Sequence, residues 1–238
     1  MKLFKDAYIY DGTGADAFKG DILVENDRIV KVEEHITPEE EWEVIDLDGL
    51  SVSSGFIDAH SHGDILLGTR DNHLFKTNPG ITTEIVGQCG DSMAPVSPKY
   101  LTEVQDQLSM GTPSFPDDMV NWTSFARYLE YADAQKKTTN VKMYIGHSSL
   151  RIAVMGMENR PSTDQELDTM KGILRESMEA GAAGFSVSTW YVLPLTVTLV
   201  KPASISSTAH LYSAPLILNV NSFIVVLFYC LQIVLFIR

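Results

Sequence analysis

Cysteine is scarce in this chain. Cys89 and Cys230 are the only two among 238 residues. They lie far apart and no spacing pattern pairs them, which argues against a disulfide framework and for a reducing, cytoplasmic setting. Basic charge is also short: 18 lysines and arginines face 31 acidic residues, a net charge of −13. Such a chain offers no basic face to neutralise phosphates, so nucleic acid is excluded as a partner. No Gly-x-Gly-x-x-Gly stands at a strand-to-helix turn, which argues against a dinucleotide-binding sheet. No secretory signal opens the chain, because Met1-Lys2-Leu3-Phe4-Lys5-Asp6 runs straight into strand pattern. Charge of either sign is nearly missing from the last quarter. Glu179 is the last acidic residue, and only Lys201 and Arg238 are charged after it. Setting those two aside leaves 16 basic against 31 acidic residues in the first 180, a net charge of −15.

What is present is ample apolar content for a core, at 45% of residues, in a length that suits one large domain or two modest ones. Residues 3 to 49 read as short strands and tight turns. Leu3 to Tyr10, Asp21 to Glu25 and Arg28 to Glu33 alternate in polarity, with Asp11-Gly12 and Asn26-Asp27 as turn chemistry. After Ser54 the period changes. Gly55-Phe56-Ile57-Asp58 reads as a buried strand, Leu66 to Thr77 as a short helix, and Thr82 to Gly87 as a second strand. Asn121 is expected to cap a helix with Trp122, Phe125, Tyr128 and Leu129 on its apolar side. Asn140 to Ile145 reads as a third strand. Ser162 with Gln165, or Thr163 with Glu166, forms a capping box for a helix that stops at Gly181, and Ala182 to Ser188 reads as a fourth strand. Strands alternating with helices predict a parallel sheet.

The residues with chemistry fall just beyond the ends of these strands, where barrel enzymes keep theirs. His60 and His62 stand one residue apart, so on extended chain both imidazoles face one side and can meet one cation. Asp58 and Asp64 flank them and could hold the second ring nitrogens. Cys89, between Gln88 and Gly90, has three readings: a buried inert thiol, a nucleophile with His147 as its base, or a thiolate completing the histidine pair in a zinc site.

At this point the sequence resembles a known family. Ser54-Gly55-Phe56-Ile57-Asp58-Ala59-His60-Ser61-His62-Gly63-Asp64 is similar to the metal-binding opening of the amidohydrolase superfamily. Pro79-Gly80-Ile81-Thr82-Thr83, Gly87-Gln88-Cys89-Gly90 and Ala94-Pro95 resemble its N-acyl-D-amino-acid deacylase (D-aminoacylase) family. So do Gly146-His147-Ser148-Ser149-Leu150-Arg151 and Gly181-Ala182-Ala183-Gly184-Phe185-Ser186. Ser54 departs from the proline usual before Gly-Phe. The resemblance covers residues 1 to about 191. It implies a small β-sandwich module (1–54) and then the first half of a TIM-like (β/α)8 barrel, about four strand-helix units (55–191). It also implies zinc-assisted hydrolysis of the amide of N-acyl-D-amino acids, with His60, His62 and Cys89 as metal ligands. His147, Arg151 and Tyr191 become candidates for lining the substrate pocket, Arg151 by pairing with a carboxylate; the alternative is that His147 and Arg151 orient a loop.

The family also takes two histidine ligands and an aspartate base from later strands. Beyond Tyr191 that pattern is not found: no acidic residue follows, and His210, in Ser-Ser-Thr-Ala-His-Leu-Tyr, does not match a ligand setting. Residues 192–238 read as an aberrant apolar tail. Its length admits a transmembrane helix and hence a membrane partner; its lack of period admits a shifted reading frame. Two functions are therefore expected in competition: a truncated zinc amidohydrolase, or a catalytically inactive fragment or membrane-tethered remnant with at most a binding role.

Overall fold

In the computed structural model, residues 1–67, 74–108, 119–188 and 232–235 are described. The chain divides into two units, Met1–Phe56 and Ile57–Arg238. The first is a β-sandwich-like sheet. Its central strand, β1 (Lys2–Tyr10), pairs antiparallel with β2 (Phe18–Glu25), which pairs antiparallel with β3 (Arg28–Glu33). The other edge of β1 pairs in parallel with β4 (Glu43–Asp46) and then with β5 (Ser51–Ser53). Leu3, Ala7, Ile9, Ile22, Leu23 and Ile36 are buried. Register slips between Phe4 and Ala7, where Asp6 has φ +51°. Buried Asp21 stabilises this bulge: its Oδ1 accepts from the Asp6 amide and its Oδ2 from the Ile36 amide, both at 2.9 Å. The apolar residues of β3 do not point into a core as their alternation predicts. Ile29 is 67% exposed, because β3 lies at the sheet edge with a single partner strand.

The second unit is an open half-barrel sheet, a partial α/β barrel. Strands β6 (Phe56–Asp58), β7 (Ile81–Val86), β8 (Asn140–Gly146) and β9 (Gly184–Ser188) lie side by side in chain order. The pairs β7/β8 and β8/β9 are parallel, and β10 (Gln232–Leu235) closes the order antiparallel to β9. Sequential parallel neighbours joined through helices are what a barrel requires. Helices α1 (Leu74–Thr77), α2 (Leu101–Leu108), α3 (Phe125–Ala134), α4 (His147–Met155) and α5 (Asp164–Glu179) occupy the connections. Val86, Ile145, Phe185, Leu150, Ile152, Met170 and Leu174 belong to one continuous core.

Several expectations are corrected. Phe56 and Ile57 are 62% and 65% exposed rather than buried, since β6 is the edge of the open sheet among the described residues. Asn121 does not cap α3. It ends a short 3-10 turn, Met119–Asn121, and the Ser124 hydroxyl accepts from the Arg127 amide instead. Trp122 therefore precedes the helix, yet stays in the core against Tyr128 and Tyr131, with ring centroids 5.0 and 4.6 Å away. The helix expected over 66–77 is a 3-10 turn at Gly63–Leu66 and then α1, with 68–73 outside the described residues. The helical stretches α2 and α4 carry no strong start signal in the sequence. Tyr191, His210 and most of the 192–238 tail also lie outside the described residues, apart from the extended segment 232–235. No helix among the described residues is long and apolar enough to cross a membrane.

At the start of α5 the Thr163 hydroxyl accepts from the Glu166 amide at 3.3 Å, while the Glu166 carboxylate accepts from the Thr163 amide at 2.8 Å. Gly181, with φ +116°, follows the helix end. Thr163→Ala deletes this reciprocal pair, and a loss of about 1 kcal/mol is expected in urea unfolding.

Candidate metal centre

Strand β6 ends at Asp58, and the chain beyond it is fixed from both sides. Asp58 Oδ1 accepts from the His60 amide at 3.1 Å, and the Ser61 amide donates to Ile85 O of β7 at 3.0 Å. The chain is not extended here as the His-x-His spacing predicts: it bends at Ala59 and His60, and His62 has φ −113° and ψ 29°, so a turn held by these bonds brings the rings together. His60 and His62 are exposed, with ring centroids 5.8 Å apart, and Ser61 between them is buried. The Ser61 hydroxyl donates to Glu84 Oε2 at 2.5 Å and accepts from the Gly63 amide at 3.0 Å.

Cys89 comes from the turn after β7. Gly87, Cys89 and Gly90 all have positive φ, +73°, +58° and +79°. For cysteine that region is sparsely populated and costs on the order of 1–3 kcal/mol unless its surroundings impose it. They do. Ser186 of β9 donates to Gly87 O at 2.5 Å and accepts from the Gly90 amide at 3.1 Å. Gly90 O accepts from the Ser148 and Ser149 amides at the start of α4. A Cβ on Gly87 would meet Tyr144 O at 2.1 Å, and one on Gly146 would meet Gly90 O at 2.3 Å, so only glycine lets the turn lie against β8. Gln88 Nε2 then bridges to the histidine segment, donating to Ala59 O at 3.1 Å and to Ile85 O at 3.2 Å.

These constraints bring His60, His62 and buried Cys89 together, one ligand atom from each lying within 4.8 Å of the others. Cys89 Sγ is 3.5 Å from His60 Nε2. A tetrahedral zinc with bonds of about 2.05 Å to nitrogen and about 2.3 Å to sulfur separates those two atoms by about 3.5 Å. The donor set and its spacing therefore fit zinc. Although the His62 side chain keeps solvent access, partial desolvation of its ring, followed by the nearby His60 and Lys76, holds its pKa below the ordinary histidine value, which favours the neutral form that ligates.

The two flanking carboxylates have different surroundings. Asp58 acts on the histidine backbone and on Lys76, whose ammonium lies 2.5 Å from Asp58 Oδ2. Asp64 is fully buried, with Oδ1 unpaired; burial and then Asp91 push its pKa up to about 7. Burial raises Asp91 to about 6, against a hydrogen bond from Gln107. His147 is buried at the first turn of α4, edge-on to Phe185 at 6.0 Å. Arg151 Nη2 donates to Glu158 O at 2.9 Å and to Arg160 O at 2.6 Å, so this guanidinium braces the 158–160 loop. Sequence reasoning missed Lys76, Glu84 and Ser186. The available signal was Glu84, a charge inside a β-branched strand, which demands buried partners.

The chain matches the amidohydrolase family over residues 43–213, past Tyr191, where the family pattern was expected to end. It is 35% identical to the N-acyl-D-aspartate deacylase of Alcaligenes xylosoxydans xylosoxydans over 78% of this chain and 36% of that protein. To the D-aminoacylase of the same organism it is 32% identical, over 77% and 36%. Among solved structures, a D-aminoacylase superposes with a TM-score of 0.65 at 31% identity, over 77% of this chain and 37% of that one. The N-acyl-D-glutamate deacylase of Bordetella bronchiseptica, complexed with zinc and a phosphonate inhibitor, gives 0.63 at 32%, over the same shares. The chain thus spans about a third of the length of the curated relatives it matches.

Burial, and secondarily Arg151, depress the His147 pKa to about 4. The unfolded chain, titrating near 6.5, takes up a proton that the folded protein refuses. The contribution of neutral His147 is therefore fully present above pH 6.5 and is lost as the pH falls to 4, about 3 kcal/mol at most. Asp64 and Asp91 run the other way, contributing below pH 4 and losing it as the pH rises through 6 and 7. His147→Gln should flatten the urea midpoint between pH 6.5 and 4 relative to the parent chain; parallel profiles would refute the assignment.

Proposed function

Because the chain belongs to the amidohydrolase superfamily, in its D-aminoacylase/N-acyl-D-amino-acid deacylase family, we propose that it carries the metal-holding part of a zinc-dependent hydrolase acting on the amide of N-acyl-D-amino acids. The single observation behind this is the meeting of two imidazoles and a thiol within 4.8 Å. Its support is the donor chemistry, together with relatives that are named for deacylation of N-acyl-D-aspartate and N-acyl-D-glutamate.

His60, His62 and Cys89 would hold the zinc. Bound there, the metal supplies Lewis-acid polarisation of the amide carbonyl and acidifies water. Cys89 serves as a thiolate ligand, which suits a reducing compartment such as the cytoplasm. Its imposed left-handed turn keeps the sulfur on the imidazole side. Neutral His62 presents a lone pair rather than a proton. His147 and Arg151, together with Tyr191, are proposed to shape the pocket for the acyl-amino acid, His147 and Arg151 by holding α4 and the 158–160 loop beside it. Turnover further requires a carboxylate base to receive a proton and pass it to the leaving amine. No such base joins the three ligand residues among the described residues, so the activity is proposed for the whole catalytic unit and metal retention for this chain.

The test is zinc analysis and hydrolysis of N-acetyl-D-aspartate, N-acetyl-D-glutamate and N-acetyl-D-methionine by the purified chain. Weak zinc retention, weakened about 100-fold further or more in Cys89→Ala, and no measurable turnover are expected, since loss of a ligand costs at least what loss of its supporting partners does. Zinc binding indifferent to Cys89→Ala would overturn the proposal, and robust hydrolysis lost in that variant would show that the chain supplies its own base.

A further inference from the structure

Against the histidine segment lies a charged cluster that the deacylase reading does not use. Lys76 Nζ sits 2.5 Å from Asp58 Oδ2, 3.2 Å from Ser61 Oγ and 3.6 Å from Glu84 Oε2. The Lys76 side chain is only 17% exposed and that of Glu84 is wholly buried. Glu84 Oε1 accepts from the Thr139 hydroxyl at 2.8 Å, and its Oε2 accepts from Ser61. A carboxylate buried in a strand is costly without a cation and donors, and here it has both. The partners of Lys76 are the residues that hold the ligand segment. Asp58 fixes the His60 amide, and Ser61 is the residue between the two histidines.

We infer that Lys76 is a positioning residue of the metal centre, clamping Asp58 and Ser61 onto buried Glu84 so that His60 and His62 are held at ligating separation before the cation arrives. The inference rests on the zinc reading and adds to it the device that preorganises two of the three ligands. Preorganisation lowers the ordering cost of binding, so the clamp appears as metal affinity. Charge alone predicts the opposite sign. An ammonium near the site repels a dication, and removing it would tighten binding.

Zinc affinity of the full chain by chelator competition, and the thiolate-to-cobalt charge-transfer band of the cobalt-substituted protein, separate the two. Lys76→Met should weaken zinc at least about ten-fold, the scale seen for partners that orient metal ligands, and should shift or weaken the cobalt band. Ser61→Ala, which deletes one hydroxyl, should weaken zinc several-fold and decides the matter if Lys76→Met does not fold. Affinity unchanged or tighter in the folded variants, with an unaltered band, overturns the clamp and leaves the zinc reading standing. A parent chain that binds no zinc, or binds it as well in Cys89→Ala, overturns both.

Discussion

The hydrogen bond from the Ser61 hydroxyl to the buried Glu84 carboxylate, 2.5 Å long, is the constraint on which the rest of the site depends. It joins the segment after β6 to the middle of β7, at the buried residue that stands between the two histidines. The chain bends at Ala59 and His60, so the anchoring of Ser61 and of the His60 amide, rather than strand alternation, keeps the exposed imidazoles near one another. The placing of the donor segment is thus tied to a serine and a glutamate outside the His60, His62 and Cys89 cluster.

The sulfur is held by a different means. Cys89 occupies a left-handed conformation between glycines, and it stays there because three elements grip the turn around it. Ser186 reaches across from β9, the first amides of α4 take Gly90 O, and Gln88 ties the turn to Ala59. Each grip satisfies backbone groups that would otherwise be buried without partners. Parallel strands in sequential order make this feasible, since neighbouring strand ends arrive at the same edge of the sheet. The same order leaves β6 at an edge among the described residues, with Phe56 and Ile57 uncovered.

The histidine pair was legible from its spacing alone, and the strand identities from β-branched runs ended by Gly87 and Gly146. The capping box was legible too, although two overlapping boxes competed and only Thr163 with Glu166 formed. The start of α3 was misplaced because Asn121 and Ser124 are both good caps, and Trp122 was anchored by packing rather than by helical register. The motif around Arg151 does not show that its Nη2 donates to the carbonyls of Glu158 and Arg160, because that depends on how the chain returns after α4.

Local pattern by itself determined the strands of both units, the capping box of α5, the family and the histidine pair as candidate donors, because periodicity, turn chemistry and motif are properties of neighbours in the chain. Only the tertiary structure decided that Cys89 stands beside His60, that Lys76 and Glu84 meet Ser61 between the pair, and that Asp58 and Asp64 have different surroundings. Those facts depend on strand register and on which charges share a buried space, and both arise from contacts between residues far apart in sequence.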